Sequence, residues 1–220
     1  MFKKILVAED SDGHNIAVKK VLDQLFLTAT YERYCDDAFL KIRKAMQDGA
    51  PYDLLITDLS FMPDHREARL ASGEDLIAAI RSLQPELDII VFSVEDRSLQ
   101  IQSLFKKHHI AAYVFKGRQS IPQLVNAIGD VAGGKSYISP EVSAKLHDKS
   151  LDEIDDYDVM LLRQMAAGNK TNDIAAHFRK INLEPNSVSA IEKRINRLKI
   201  SFGAQNGMHL VSLAKDLKVI

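Results

Sequence analysis

Carboxylates, a hydroxyl and an ammonium group follow short apolar runs at widely separated points of the chain. Glu9 and Asp10 come directly after KILVA, Asp58 follows LLIT, Ser93 ends DIIVFS and Lys116 follows AYVF. Three carboxylates in one crevice would repel one another unless a hard divalent cation lay among them, and such oxygen ligands suit Mg²⁺. With two acids on the ion, the third can act as a nucleophile on a phosphoryl group while the hydroxyl and ammonium bind its oxygens. The residue types therefore predict phosphoryl chemistry, provided that the fold brings them together.

Short β-branched runs alternate with amphipathic stretches through the first part of the chain, up to about residue 130. Five strand–helix units of this kind predict a parallel sheet with helices on both faces. Such sheets bind ligands at the carboxyl ends of their strands. The polar residues named above all lie at predicted strand ends, so the predicted fold gathers them at one edge of the sheet.

Residues 1–132 resemble the receiver domain of two-component response regulators. The resemblance rests on the acidic pair, on ITD with Asp58, on FS with Ser93, and on YVFK with Tyr113 and Lys116. It implies an α/β, flavodoxin-like domain with a five-stranded parallel sheet, in which Asp58 accepts phosphate from a sensor histidine kinase. It further implies a Mg²⁺ site made by Glu9, Asp10, Asp58 and the Ser60 carbonyl, phosphate binding by Ser93 and Lys116, and an aromatic switch at Tyr113.

The loop after Asp58 departs from the receiver pattern. Receivers usually have a proline four residues past the phosphoacceptor and a glycine soon after, whereas here Pro63 comes five residues on and the glycine is Gly73. Residues 59–72 therefore form an expanded loop, which borders the predicted site and could reshape access or partner choice. Two further departures are Val94, where the family prefers a smaller residue, and Gly117, where it usually has proline.

The last third of the chain reads as a separate helical domain. Residues 133–152 interrupt the alternation with glycines, a proline and serines, and are predicted to be a linker. Asp155 and Asp158 have the spacing of a capping box, and four helices are predicted over residues 153–220. The third of them follows Pro185 and has one apolar face and one polar, basic face. A short helix before it completes a helix-turn-helix geometry suited to the DNA major groove.

GNKTNDIA followed by PNSVSAIEKRINRLK resembles the helix-turn-helix of LuxR-type (NarL/FixJ-like) response regulators. This resemblance implies a DNA-binding transcriptional regulator that forms a homodimer on activation. Residues 151–220 carry 10 basic and 9 acidic side chains, a net charge of +1 that is low for a DNA-binding domain. The residues predicted to contact DNA are Lys170, Thr171, Asn186, Ser187, Ser189, Lys193, Asn196 and Arg197.

Composition restricts the remaining possibilities. The 29 basic and 30 acidic residues nearly cancel, so no global field attracts the chain to nucleic acid or to membranes. A single cysteine, Cys35, cannot form an internal disulfide, and no apolar run approaches the ~18 residues of a membrane span. The sequence therefore predicts a cytoplasmic protein without a membrane partner. The seven histidines show no metal-ligand spacing and are expected at the surface.

The combined interpretation is a response regulator, not an enzyme, that is phosphorylated on Asp58 and controls transcription through its helical domain. One alternative keeps the receiver but makes the helical domain a protein-interaction module. A second alternative is a Mg²⁺-dependent phosphotransferase or phosphatase with the same aspartyl chemistry. Such hydrolases commonly have a second acid two residues past the nucleophile, where this chain has Ser60, which cannot serve as a general acid.

Overall fold

The computed structural model describes residues 2–147, 154–217 and 219–220. The chain divides into two compact units, one made of Met1–Asp96 and Leu104–Ser143 and the other of Arg97–Ser103 and Ala144–Ile220. The end of the predicted linker and the start of the predicted second domain fall in residues 148–153, outside the described residues. The predicted domain boundaries therefore stay predictions. None of the helices in the described residues is long and apolar enough to cross a membrane.

The first unit is built around a parallel sheet with the strand order β2-β1-β3-β4-β5-β6. Non-consecutive neighbours in this order require a helical crossover between parallel strands, which is what the alternating sequence pattern predicts. The strands are β1 Ile5–Ala8, β2 Ala29–Glu32, β3 Leu54–Thr57, β4 Asp88–Ser93, β5 Ala112–Phe115 and β6 Tyr137–Ile138.

Helices cover both faces of the sheet, because the side chains of a strand alternate between faces and all four residues of β1 are buried. Ile5 and Val7 pack in one apolar cluster with side chains of α1 and α5, and α2 contacts β1 and β2. The predicted α/β fold class and its five strand–helix units are confirmed. Along residues 12–147 the helices are α1 Asp12–Gln24, α2 Cys35–Gln47, α3 Gly73–Leu83, α4 Ser98–His108, α5 Ser120–Ala132 and α6 Pro140–His147.

A sixth strand, β6, lies in the segment that was predicted to be a linker, so the prediction of five strands needs this correction. Tyr137 and Ile138 pair with β5, and the Ser139 N–H donates to the Tyr113 carbonyl at 2.9 Å. The Ser139 hydroxyl then accepts from the Phe115 N–H at 2.9 Å, which continues the bonding of the β5 edge. Two residues are too few to show a strand periodicity in the sequence.

The second unit contains the four predicted helices: α7 Asp156–Ala166, α8 Thr171–Lys180, α9 Val188–Phe202 and α10 Gly207–Asp216. Their apolar faces share one core, in which Ile191 and Leu198 of α9 are buried. As predicted, α9 follows Pro185, and it begins three residues later, at Val188. Its N-cap is Ser187, whose hydroxyl accepts from the Ala190 N–H at 3.2 Å and so satisfies a backbone donor of the first turn.

Candidate phosphoryl site and helix-turn-helix surface

The two buried carboxylates of the site come from the ends of neighbouring strands. The register pairs Ala8 of β1 with Thr57 of β3, so Glu9 and Asp58 follow at the same level of the sheet. The Asp58 N–H donates to the Ala8 carbonyl at 3.0 Å, which fixes this alignment. Glu9 is 2% exposed and Asp58 is 6% exposed. Carboxylates this deeply buried need a cationic partner.

Lys116 is that partner. Its Nζ lies 2.6 Å from Glu9 Oε2 and 2.6 Å from Asp58 Oδ2, and its side chain is 3% exposed. The Lys116 N–H donates to the Ser93 carbonyl at 2.8 Å, so β4 positions the backbone that carries the lysine. Two carboxylates share one ammonium group, and the three groups together keep a net negative charge. Gly117, which stands where receivers usually have proline, does not prevent this placement.

The two carboxylate oxygens of Asp58 have different surroundings. Oδ1 accepts from the Leu59 N–H at 2.6 Å and from the Ser60 N–H at 3.3 Å, whereas Oδ2 faces the ammonium group. Backbone donors therefore hold the carboxylate in one orientation. The coordination role predicted for the Ser60 carbonyl stays a prediction.

The expanded loop returns to the site at Gly73. Ser60 and Ser72 form an isolated antiparallel bridge, and the Gly73 N–H donates to the Leu59 carbonyl at 3.0 Å. A Cβ on Gly73 would lie 1.8 Å from the Asp58 carbonyl oxygen, far inside van der Waals contact. Glycine is required here because the start of α3 approaches the backbone of Asp58 so closely. The insertion bulges outward without displacing this glycine from Asp58.

Asp10 is not brought into the cluster with the other two acids. Its Oδ2 accepts from the Met62 N–H at 2.6 Å, and its backbone carbonyl accepts from Arg33 at 3.1 Å. Met62 belongs to the expanded loop, so this loop holds the second acid of the pair. The predicted metal set of Glu9, Asp10 and Asp58 is therefore not assembled in this structure, although two of its members are.

His14 is a residue of the site that the sequence analysis missed. Its Nδ1 lies 3.4 Å from Glu9 Oε1 and 3.1 Å from Lys116 Nζ, and its ring packs edge-on against Phe92. Potential metal-ligand atoms of Glu9, His14 and Asp58 all lie within 4.8 Å of one another. The expectation that the histidines lie at the surface is wrong for His108, which is buried. A signal was present, because a residue in the first turn of α1 must lie near the end of β1.

Ser93 and Tyr113 are both fully buried beside the site. The Ser93 hydroxyl oxygen accepts from the Glu95 N–H at 3.4 Å, and the Tyr113 hydroxyl donates to the Glu95 carbonyl at 2.5 Å. Burial raises the pKa of the Tyr113 phenol well above its usual value, so this group is a neutral hydrogen-bond donor. The tyrosine already points inward. The phosphate-binding role of Ser93 and the switch role of Tyr113 stay predictions.

The polar surface predicted to contact DNA includes α9 and the segments that precede α8 and α9. Asn186, Thr171 and Arg197 are partly buried. We refer to the exposed members as the helix-turn-helix surface: Lys170, Ser187, Ser189, Lys193 and Asn196.

Two of the basic side chains of α9 bind an acid within their own unit. Asp158 is fully buried, and both its carboxylate oxygens accept hydrogen bonds from Arg194. Arg197 adds a contact of 3.2 Å to the same carboxylate, and Arg194 also bonds Asp155. The hydrogen bond to Asp158 raises the pKa of the Arg194 guanidinium. Much of the positive charge of α9 is thus neutralised internally, and the cation that α9 contributes to the helix-turn-helix surface is Lys193.

The capping box predicted from the acidic run before α7 is confirmed. The Asp155 carboxylate accepts from the Asp158 N–H at 2.9 Å, and the Asp158 carboxylate accepts from the Asp155 N–H at 3.4 Å. Because the same two acids bind Arg194, one cluster caps α7 and joins it to α9.

The fold and the site together define a receiver-like α/β unit followed by a helix-turn-helix unit, and comparison with known proteins agrees. No protein-family model matches the chain. In sequence it is 22% identical over 202 residues to the response regulator GacA of Pseudomonas aeruginosa, covering 87% of each chain. The resemblance to response regulators inferred from the motifs is thus confirmed over most of the chain.

Solved structures of RcsB share the fold over both units. A structure of two RcsB dimers bound to two parallel DNAs has a TM-score of 0.68 at 21% identity, covering 97% of this chain and 98% of that chain. RcsB from Salmonella enterica serovar Typhimurium, bound to promoter rprA in the presence of the phosphomimetic BeF₃⁻, has a TM-score of 0.64 at 21% identity. That match covers 96% of this chain and 97% of the other.

Proposed function

We propose that this chain is a two-component response regulator that is phosphorylated on Asp58 and acts on DNA through its helical unit. The carrying observation is the Lys116 ammonium group held between Glu9 and Asp58 at the ends of three parallel strands. Its similarity to GacA, whose name is that of a response regulator, supports the same assignment. The two RcsB structures are bound to DNA, and one was determined in the presence of a phosphate mimic, which supports the two halves of the proposal.

The proposed reaction transfers a phosphoryl group from a phosphohistidine of the sensor kinase to an Asp58 carboxylate oxygen. The P–N bond breaks, a P–O bond forms, and the imidazole of the kinase leaves. Lys116, already 2.6 Å from Asp58 Oδ2, is placed to bind an oxygen of the incoming group. The backbone donors on Oδ1 hold the carboxylate in a fixed orientation while this happens.

A divalent cation belongs to this proposal, and the buried oxygens of Glu9 and Asp58 suit one. When bound, the ion, for which Mg²⁺ is the prediction, neutralises charge on the phosphoryl oxygens. Asp10 and the Ser60 carbonyl remain predicted ligands, and the Asp10 carboxylate, whose Oδ2 accepts from the Met62 N–H, keeps a second oxygen for that role.

Phosphorylation is tested with a small-molecule phosphodonor such as acetyl phosphate in MgCl₂, followed by intact-mass spectrometry. Wild-type protein is expected to gain one phosphoryl group, and Asp58→Asn none, because the amide lacks the nucleophilic oxygen. Asp12→Asn, which changes an exposed acid at the start of α1, is the matched control and is expected to react like wild type. Equal modification of wild type and Asp58→Asn would contradict the assignment of the phosphoacceptor.

For DNA binding, Lys193→Ala is expected to weaken affinity and to lower the slope of log K against log salt by about one unit. The reason is that the Lys193 side chain is exposed on the polar face of α9, so its charge is available to a phosphate. Binding to genomic fragments is measured by fluorescence anisotropy at several salt concentrations.

Lys215→Ala, which removes an exposed cation near the end of α10, is the control for this measurement and should leave the slope unchanged. If neither the free nor the phosphorylated protein binds any genomic fragment, the interaction-module alternative is favoured instead. The phosphatase alternative is less well supported, because Ser60 replaces the general acid. Histidine-kinase partnership and homodimerisation on activation are parts of the proposal that rest on the resemblance, whereas a cytoplasmic location rests on the composition.

A further inference from the structure

Two carboxylates and one imidazole surround a single point of the site, which the Lys116 ammonium group occupies. Nζ lies 2.6 Å from Glu9 Oε2, 2.6 Å from Asp58 Oδ2 and 3.1 Å from His14 Nδ1. An ammonium group can only donate hydrogen bonds, so this contact selects the tautomer with the hydrogen on Nε2, in which Nδ1 accepts and carries its lone pair toward the same point. The imidazole is therefore oriented as a ligand toward a cation.

The contact between His14 and Glu9 does not account for this orientation. The distance of 3.4 Å from Nδ1 to Oε1 is longer than an ordinary N–H···O hydrogen bond, and Nδ1 already accepts from the ammonium group. The ring packs edge-on against Phe92, with 6.2 Å between ring centroids, and the His14 side chain is 42% exposed. The Phe92 ring centroid also lies 5.1 Å from Lys116 Nζ. One aromatic side chain thus lies against both the imidazole and the cation.

Asp10, the acid predicted to complete the metal site, is held by the expanded loop instead. Asp10 accepts the Met62 N–H at 2.6 Å, a short bond that the expanded loop supplies. The donor set that remains is one imidazole nitrogen and two carboxylates, from His14, Glu9 and Asp58. This set differs from an all-oxygen site in the kind of ion that it favours.

We infer that His14 is a ligand of the divalent cation, and that it makes this a mixed nitrogen–oxygen site that favours first-row transition ions such as Mn²⁺ over Mg²⁺. The inference deepens the proposed function and rests on it, since it concerns the ion of the same site. An imidazole nitrogen suits transition ions, whereas Mg²⁺ takes oxygen ligands and keeps its waters. Glu9, His14 and Asp58 would hold the ion, and Lys116, whose stem is flexible, would then be free to bind the phosphoryl oxygens.

The test uses MnCl₂ and MgCl₂ with the full-length protein. Pulsed electron paramagnetic resonance of bound Mn²⁺ is expected to show coupling to a directly bound ¹⁴N in wild type and no such coupling in His14→Gln. By isothermal titration calorimetry, His14→Gln should weaken Mn²⁺ binding by about tenfold or more and Mg²⁺ binding by less than about threefold, because only the transition ion gains from the nitrogen. His177→Gln, which changes an exposed histidine of α8, is the control.

Bound Mn²⁺ without ¹⁴N coupling in wild type would overturn the inference and leave the phosphorylation of Asp58 untouched. Asp10→Asn addresses the competing ligand set. If Asp10→Asn loses as much Mn²⁺ affinity as His14→Gln does, and wild type shows no ¹⁴N coupling, then Asp10 rather than His14 binds the ion. If neither ion binds at any measured concentration, both this inference and the cation of the proposed function are wrong, whereas the acetyl phosphate experiment still judges Asp58 separately.

Discussion

Gly73→Ala is expected to destabilise the protein by about 3 kcal/mol and to reduce phosphorylation of Asp58 sharply, because overpacking against rigid backbone cannot be relieved by a side-chain rotation. The new Cβ would lie 1.8 Å from the Asp58 carbonyl oxygen and 2.9 Å from the Leu59 Cα. Either the start of α3 or the peptide after Asp58 must move. Urea unfolding followed by far-ultraviolet circular dichroism measures the stability, and acetyl phosphate labelling measures the site.

The matched control for this change is Gly129→Ala. Gly129 lies in α5 and is exposed, and a Cβ added there would have no atom within 4 Å outside its own helix backbone. Alanine at this position should therefore be neutral or stabilise the protein by up to about 1 kcal/mol. A Gly73→Ala protein as stable and as reactive as wild type would mean that α3 does not approach Asp58 as closely as the structure has it.

Arg194→Ala is expected to destabilise the helical unit by about 3–5 kcal/mol, the cost of leaving a buried charge without its partner. The carboxylate concerned is that of Asp158, which is fully buried and accepts from Arg194 through both oxygens. Arg197, at 3.2 Å, offers only one contact to it and cannot replace the paired donors. Thermal or urea unfolding of the variant, followed by circular dichroism, measures the loss.

Two further variants separate this mechanism from a general loss of positive charge on α9. Lys193→Ala removes an exposed neighbouring cation and should change stability by no more than about 0.5 kcal/mol. Arg194→Lys keeps the charge but not the paired geometry and should recover only part of the loss. Equal stability of Arg194→Ala and Lys193→Ala would show that the Asp158 pair does not support the fold.

The strands and helices that position the site were predictable, because each of them depends on the pattern of apolar and polar residues within its own segment. Short apolar runs that alternate with helical periodicity require a parallel sheet, and in such a sheet the residues after β1, β3 and β5 must meet at one edge. Glu9, Asp58 and Lys116 therefore came together as the sequence indicated. The capping box at Asp155 depends on a spacing of three residues and was predictable for the same reason.

What could not be predicted depends on contacts between distant segments. The capture of Asp10 by the Met62 N–H requires the path of an inserted loop, which residue types do not specify. His14 has no ligand spacing in the sequence, and only its place in the first turn of α1 indicates that it lies near Glu9 and Asp58. Asp158 and Arg194 lie 36 positions apart in the sequence and on different helices. The sequence therefore revealed the cap but not the internal neutralisation of α9.

The short strand β6 determines which edge of the sheet another chain can extend. Along β5, the carbonyls of Ala111 and Tyr113 and the N–H of Phe115 are all bonded to residues 137–139. A partner therefore cannot add a strand at these positions without first removing β6, and unpaired edges are where chains aggregate by backbone pairing. β6 is now the edge strand on this side, and because it has only two residues it offers little backbone for another strand to pair with, which is one way in which proteins protect a sheet edge.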